Sequence, residues 1–176
     1  MTCPFRLLVD TREQRPYLFS DKYYLQHGLE GIDKKALVVG DYTIEDIRHQ
    51  VAIERKQLGE YLICLGTDRR RFEAEVVRAT ELGIMLFCII EGTNNWSNDK
   101  EVQQATGSRL TLASIHGTEA SWSTRYNYRV FYCGSRQAAE MRCFNLLLYF
   151  YKKLKLSEMP QKGRKRRGAI ENYGKE

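Results

Sequence analysis

The stretch that decides the fold is Gln50-Val-Ala-Ile-Glu-Arg-Lys-Gln57, an apolar alternating segment that ends in three consecutive charges. Side chains alternate across a β-strand, so Val51 and Ile53 point to one face while Glu54 and Lys56 point to the other. The two charged side chains stand about 6.6 Å apart along the strand. A carboxylate and an ammonium at this spacing can bind a divalent metal and orient a water beside it, as phosphodiester hydrolysis requires. The alternative is an exposed ion pair with no further role.

A second acid-x-Lys pair, Asp33 and Lys35, has the same spacing, and the surroundings separate the two pairs. Asp33 follows Gly31 in an expected turn, whereas Glu54 ends an apolar alternating segment. Another acid, Asp41, lies where the preceding apolar run is interrupted by a glycine, so the two acids are expected on adjacent strands that meet at one edge. Mg²⁺ binds few protein carboxylates together with waters. Asp41 and Glu54 therefore predict a metal site.

Composition sets the broad class of the protein. The chain has 176 residues, of which 43% are hydrophobic, and this length favours one domain with its own core. The net charge of +6 and the pI of about 9.1 suit a polyanionic partner. The apolar runs are too short for a membrane span or a signal peptide, so we expect a soluble, intracellular protein, nuclear or cytoplasmic. Neither the five cysteines nor the three histidines have the spacing of a zinc or redox site.

The order of the predicted elements indicates an α/β fold with a central mixed β-sheet flanked by helices. Strands are predicted at residues 5–10, 36–39, 50–55, 84–90 and 128–133, and helices at 22–27, 58–65, 69–82, 110–122 and 135–156. The polar segment 93–109 is predicted to be a long surface loop. The last helix is apolar almost all round, so it must be covered on more than one side. One cover is its own sheet; the other is the rest of the same domain or a second copy of the chain.

Two basic stretches are candidates for nucleic-acid contact. We expect residues 1–157 to form the domain and residues 158–176 to form a basic, flexible tail. The tail cations that suit phosphate contacts are Lys162, Arg164, Lys165, Arg166 and Arg167. A nuclear-import signal and a solvated tail are the alternatives. Arg70 and Arg71, in the arginine run that begins the second helix after the charged strand, either contact phosphate or are simply solvated.

Three blocks of the chain, in this order, resemble the signature of a known family. They are LLVDTRE at 7–13, VVGDYTI at 38–44 and VAIERK at 51–56. Together they resemble the XPF-type structure-selective endonuclease domain of nucleotide excision repair nucleases and archaeal fork nucleases. Its pattern is V-D-x-R-E, then G-D-Y, then E-R-K-x-x-x-D. A looser likeness extends over about residues 5 to 155.

The resemblance implies a restriction-endonuclease-like core of the PD-(D/E)XK type that cuts branched DNA with Mg²⁺ or Mn²⁺. The catalytic positions that it implies are Asp10, Glu13, Asp41, Glu54, Arg55 and Lys56, and the metal-binding ones among them are Asp10, Asp41 and Glu54. By position, Lys56 corresponds to the catalytic lysine, and Arg70 matches an arginine found near the active site in similar proteins. The resemblance also implies a homodimer that forms through the C-terminal helices.

Two departures from the family pattern leave questions open. The acid that closes the E-R-K-x-x-x-D motif is Glu60 rather than aspartate, and we expect it to have a structural or supporting role. The family usually carries paired helix-hairpin-helix modules after the core, whereas about twenty residues follow here. The core, the basic tail, the dimer, a partner protein or a piece outside this sequence is therefore expected to hold the DNA. The leading hypothesis is an endonuclease acting on flap, fork or four-way DNA. The alternatives are a non-catalytic DNA-binding partner subunit, or a phage or plasmid junction resolvase or nicking enzyme.

Overall fold

A mixed β-sheet with helices on both faces forms the part of the chain, residues 4–158, that the computed structural model describes. The strands are β1 (Phe5–Asp10), β2 (Leu29–Lys35), β3 (Tyr42–Ile44), β4 (Val51–Gln57), β5 (Met85–Glu91) and β6 (Tyr128–Tyr132). The helices are α1 (Lys22–Gln26), α2 (Leu58–Leu65), α3 (Arg69–Glu81), α4 (Asp99–Thr106), α5 (Leu112–Arg125) and α6 (Arg136–Glu158), with a 3₁₀ turn at Glu45–Ile47. The predicted tail cations Lys162, Arg164, Lys165, Arg166 and Arg167 lie outside the described residues.

The sheet has the strand order β2-β1-β3-β4-β5-β6. Strand β1 runs parallel to β2 and antiparallel to β3, and β3 is antiparallel to β4. Strands β4, β5 and β6 are parallel to one another. The predicted α/β class with a central mixed sheet is confirmed, and the charged segment that we quoted first forms one of the two middle strands.

Each face of the sheet carries its own hydrophobic cluster. Val51 and Ile53 pack into the cluster that β1, α1 and α6 share. Ala52 packs into the other cluster, which contains residues of α2, α3, α4 and α5. The alternation predicted for β4 is therefore confirmed. Glu54 and Lys56 therefore point toward α2 and α3, because residues two apart in a strand share a face and Ala52 lies on that face.

Two predicted elements were wrong, for physical reasons. The strand predicted at 36–39 is irregular, and β2 lies just before it, at Leu29–Lys35. As an edge strand, β2 is half exposed and lacks the apolar alternation that marks a buried strand. The loop predicted at 93–109 contains α4. Its signals are the Asn98 side chain, which accepts a hydrogen bond from the Glu101 amide, and the buried side chain of Val102.

Helix α6 covers the sheet along one face. Its inward residues, among them Phe144 and Leu147, are fully buried, whereas Tyr149 and Leu156 are exposed. None of the helices within residues 4–158 is long and apolar enough to cross a membrane. The four cysteines in that range are free thiols, three of them buried.

Candidate active site

A tight backbone approach places Asp41 beside the middle of β4. Gly40 has a φ of +71°, and a Cβ atom at this position would lie 2.8 Å from the Ile53 carbonyl oxygen. The glycine thus lets the chain pass close enough for the Asp41 amide to donate a hydrogen bond to that carbonyl, at 2.7 Å. Strand β4 carries Glu54 immediately after Ile53, so the glycine brings the two predicted acids to the same part of the sheet.

The side chains of Asp41, Glu54 and Lys56 lie close together beside β4. Oδ2 of Asp41 accepts a hydrogen bond of 2.8 Å from the amide of Arg55, which lies between the other two in sequence. The Lys56 ammonium forms an ion pair with Glu54 and lies 5.6 Å from the centroid of the Phe72 ring. The Glu54 side chain is only 6% exposed and that of Lys56 19%. The alternative of a solvent-exposed ion pair is therefore wrong.

Burial makes ionisation of both acids costly. It raises the pKa of Asp41 to about 6, and the charges of Glu13 and Glu75 add to this, while the Arg55 amide and Lys56 oppose it. Burial also raises the pKa of Glu54, with a further contribution from Asp41, again against Lys56. A bound cation would therefore stabilise the ionised forms of Asp41 and Glu54 at neutral pH.

The donor set fits a hard divalent cation. Mg²⁺ is typically held by one or two carboxylates, with waters and substrate phosphates completing its octahedron, and Asp41 and Glu54 supply such a pair. Within residues 4–158, no group of three or more His, Cys, Asp or Glu side chains is arranged to hold a metal ion. Water and phosphate would therefore have to provide the remaining ligands.

A cleft of about 370 Å³ opens beside the pair. It is lined by Arg12, Glu13, Gln14, Arg15, Asp41, Arg55, Lys56, Glu60, Ile63, Cys64, Asp68 and Arg71. Arg12 and Arg71 are the most exposed of its ion-paired cations, at 72% and 74% of their side-chain surface. Their partners are Asp10 and Asp68. A cleft that is lined by Asp41 and Lys56 and has solvent-accessible guanidinium groups at its border suits a phosphodiester backbone.

The carboxylate of Asp10 accepts hydrogen bonds from Arg12 and from the Leu37 amide. Its Oδ1 accepts hydrogen bonds of 2.7 Å from the amide and from Nε of Arg12, and its Oδ2 accepts them from the Leu37 amide and from Arg12 Nη2. Burial alone would raise the pKa of Asp10, but these hydrogen bonds outweigh it and hold the pKa below its ordinary value. Asp10 thus fixes Arg12 at the cleft and anchors the segment that leads to Asp41. Its assignment as a metal ligand stays a prediction.

Arg55 and Glu13 form a buried pair with each other. Strand alternation turns Arg55 away from its neighbours Glu54 and Lys56. Its Nε lies 3.0 Å from Glu13 Oε2, and its Nη1 lies 3.2 Å from Glu91 Oε1. The Arg55 and Glu13 side chains are 7% and 5% exposed. A direct catalytic role for either residue stays a prediction, because their charged atoms contact each other.

Glu60, where the family pattern has aspartate, occupies the third position of α2. Its Oε2 accepts a hydrogen bond of 3.1 Å from the amide of Gln57, the residue that caps this helix. This contact is the return half of a capping box, which favours glutamate because the side chain must reach back one turn. The departure from the pattern therefore coincides with a helix-capping contact at the border of the cleft.

The arginine run at the start of α3 divides into three environments. Arg69 donates a 2.6 Å hydrogen bond to Thr118 Oγ1 and stacks over Trp122, so it ties α3 to α5. Arg70 is exposed and does not belong to the lining of the cleft, whereas Arg71 does. The DNA-binding assignments of Arg70 and Arg71 stay predictions.

Two residues of the site were missed in the sequence. Arg12 lies in the same block as Asp10, and only the structure shows its guanidinium at the cleft. Glu75 lies within 3.4 Å of the Gly40 amide and adds negative potential at Asp41. Its signal was helical spacing, because it stands four residues after Arg71 and so shares a face of α3 with it.

A mixed sheet that brings two acids and a lysine together beside an arginine-bordered cleft is the arrangement expected of a nuclease domain. The chain belongs to the ERCC4 domain family, whose model matches residues 9–141, more than half of the sequence. The resemblance drawn from the three sequence blocks is thereby confirmed. No curated protein sequence matches the chain.

Solved structures share this fold. XPF from Aeropyrum pernix matches with a TM-score of 0.61 and 21% sequence identity, covering 86% of this chain and 68% of that one. XPF from Aeropyrum pernix in complex with DNA matches with a TM-score of 0.59 and 21% identity, covering 91% of this chain and 76% of that one. At this level of identity the likeness establishes the fold, which is the expected XPF-type, restriction-endonuclease-like one.

Proposed function

We propose that this chain is a structure-selective DNA endonuclease that hydrolyses phosphodiester bonds at flap, fork or four-way DNA with Mg²⁺ or Mn²⁺. The observation that supports it is the convergence of Asp41, Glu54 and Lys56 at a cleft bordered by Arg12 and Arg71. Membership of the ERCC4 family and the fold shared with XPF add to it.

In this proposal, Asp41 and Glu54 hold the metal. When bound, the metal would offset charge on the scissile phosphate and lower the pKa of a water beside it. Burial alone would lower the pKa of Lys56, but Glu54 outweighs it and the pKa lies above its ordinary value. Lys56 is therefore a cation at neutral pH. It stabilises negative charge on the phosphate and donates a hydrogen bond to the attacking water, rather than removing its proton.

The exposed arginines are assigned to the DNA backbone. Arg12 and Arg71 are held by Asp10 and Asp68, and each keeps most of its side chain accessible. A guanidinium anchored by one acid has lost part of its conformational freedom before it meets a phosphate, which lowers the entropic cost of binding. Arg70 and the basic tail would extend this contact along the duplex.

We further propose that a second copy of the chain covers the outer face of α6. A groove of about 480 Å³ on this face is lined by Phe87, Arg142, Asn145, Leu146, Tyr149, Phe150 and Lys153. The surface of this groove is mainly apolar, and the Tyr149 side chain beside it is exposed. An apolar patch of this kind is typical of an interface, and in a twofold dimer the same patch would serve both copies.

The test is cleavage of a panel of labelled flap, fork, four-way and linear duplex DNAs with Mg²⁺ or Mn²⁺, together with the mass of the protein in solution. We expect branched DNA to be cut at least about tenfold more efficiently than duplex, and the mass to be that of a dimer. Glu54→Gln and Lys56→Ala should each lower kcat by about 10² or more, as expected for groups that stabilise developing charge. DNA binding should remain measurable in both.

The chain itself offers a matched control, since Asp33 and Lys35 repeat the acid-x-Lys spacing on the edge strand β2. There Asp33 pairs with Arg6, and Lys35 pairs with Glu45, both at the surface. Asp33→Asn and Lys35→Ala should cut like the wild type. Full cleavage by either variant of the proposed site would contradict the assignment.

The panel also separates the alternative functions. A wild type that binds branched DNA without cutting it, and that Mn²⁺ does not stabilise against heat, would be a partner subunit. Cleavage confined to four-way junctions would identify a resolvase, and single-strand nicks in duplex a nicking enzyme.

A further inference from the structure

Four charged residues form a chain of contacts from the cleft to the first turn of α6. Glu13 contacts Arg55, Arg55 contacts Glu91, and Glu91 accepts a hydrogen bond of 2.9 Å from Arg136 Nη1. The side chains of the first three are at most 10% exposed, and that of Arg136 is 39% exposed. These residues come from the β1–α1 loop, β4, β5 and α6, so the chain of contacts joins four separate segments.

Arg136 also holds the loop that carries Glu13. Its Nη2 donates hydrogen bonds to the carbonyl oxygens of Arg15, at 2.7 Å, and Pro16, at 2.9 Å. Its guanidinium lies 4.9 Å from the centroid of the Tyr17 ring. One side chain therefore fixes the loop directly and fixes the partner of Arg55 at the same time.

We propose that Arg136 is a positioning residue that aligns the catalytic cleft through Glu91, Arg55 and Glu13; this rests on the proposed nuclease function. The Arg55 amide donates to Asp41, so any movement of the Arg55 backbone displaces a carboxylate of the metal pair. Arg55 also lies between Glu54 and Lys56 in sequence. The start of α6 thus controls the position of groups on the opposite face of the sheet.

The balance of charges in this group explains why Arg136 is needed. Arg55 is buried between Glu13 and Glu91, so the group carries two acids for one buried arginine, and Arg136 supplies the second cation. Without it, Glu91 would share Arg55 with Glu13 and keep no other ion-pair partner among those the structure describes. A buried carboxylate short of a partner draws its remaining cation toward itself. Arg55 would then shift away from Glu13.

The test compares Arg136→Gln and Arg136→Lys with Arg125→Gln, a control at the exposed end of α5 whose arginine lies over Tyr126 and does not line the cleft. Cleavage of branched DNA gives kcat and KM. In Arg136→Gln we expect kcat to fall about tenfold with KM for DNA within about twofold, because positioning is lost and substrate binding is kept. Arg136→Lys should be intermediate, since an ammonium restores the charge but cannot donate as a planar fork to Glu91 and the loop carbonyls together.

A second measurement needs neither metal nor DNA. In the NMR spectrum of the free protein, the Nε–H proton of Arg55 reports the buried hydrogen bond from Arg55 to Glu13. The exchange of this proton with solvent should become about tenfold faster in Arg136→Gln and stay unchanged in Arg125→Gln. Unchanged exchange, or a raised KM at unchanged kcat, would overturn the proposal; the latter would make Arg136 a DNA contact. If Arg136→Gln does not fold, Arg136→Lys is judged by the same two measurements. If the wild type cuts no DNA, the proposed function fails, while the exchange rates still decide whether Arg136 holds Arg55.

Discussion

Replacing Asp41 with asparagine should make the metal-free protein more stable at alkaline pH. Burial raises the pKa of Asp41 from 3.8 to about 6. A shift of about 2 pKa units corresponds to ~3 kcal/mol, and because Asp41 keeps part of its surface in solvent we take about half of this, ~1.5 kcal/mol. The asparagine side chain can still accept the hydrogen bond from the Arg55 amide, so the main change is the loss of the charge.

The sign follows from proton binding. Native Asp41 binds its proton more tightly than unfolded Asp41, so the metal-free wild type loses stability as pH rises from about 4 through about 6. Thermal unfolding with a chelator at pH 8 should give Asp41→Asn a Tm about 3–6 °C above the wild type, since ~1 kcal/mol is about 2–4 °C at this chain length. Below about pH 4 the difference should vanish, because the acid is protonated in both states.

Adding Mn²⁺ at pH 8 should reverse the order, since only the wild type keeps both carboxylates and gains stability by binding the ion. The control is Asp33→Asn. Arg6 lowers the pKa of Asp33, so removing that charge should not raise the Tm, and the response to Mn²⁺ should persist. A Tm of Asp41→Asn below that of the wild type at pH 8 without metal would refute the reasoning, because it would mean that the surroundings stabilise the charge.

Two further substitutions test the geometry and the field of the site. Gly40→Ala should lower the free energy of unfolding in urea by about 2 kcal/mol and lower cleavage more than tenfold, because φ is +71° and a Cβ would lie 2.8 Å from a backbone oxygen of β4. The control is Gly83→Ala, where φ is the same but a Cβ would meet open space. It should lower the free energy of unfolding by only about 1 kcal/mol and leave cleavage unchanged. Glu75→Gln should lower the pKa of Asp41, so the Mn²⁺-dependent rate should persist to lower pH. A pH dependence of the rate that does not move to lower pH would contradict this effect of Glu75 on Asp41.

The parts of the fold and site that follow a local rule could be predicted from sequence. Strand alternation is strict, so the faces of Val51, Glu54 and Lys56 were predicted correctly from β4 alone. The glycine before Asp41 predicted a bend that brings Asp41 close to Glu54, and Gly40 does adopt a positive φ there. Short, polar or edge elements carried weaker patterns. Strand β2 has one neighbouring strand, and α4 buries little besides Val102. Neither element therefore has a periodic pattern of apolar residues in its sequence.

The parts that arise from tertiary contact could not be predicted. Glu91 and Arg136 are ordinary charges at the ends of their elements, and nothing near them in sequence indicates that they meet Arg55. The partners of Asp10 were equally hidden, because an acid at the end of a strand can face a metal or a neighbouring guanidinium, and the sequence pattern is the same in both cases.

The division of the Glu54-Arg55-Lys56 triplet between the two faces of β4 affects how related sequences should be interpreted. Arg55 is part of the scaffold, since it joins Glu13 and Glu91 inside the protein. Glu54 and Lys56 belong to the chemistry proposed for the cleft. A relative that keeps the arginine but lacks the glutamate or the lysine should still adopt this fold without cutting DNA. A search for active members of the family should therefore require the glutamate and the lysine of the triplet, and use the arginine only as an indication of the fold.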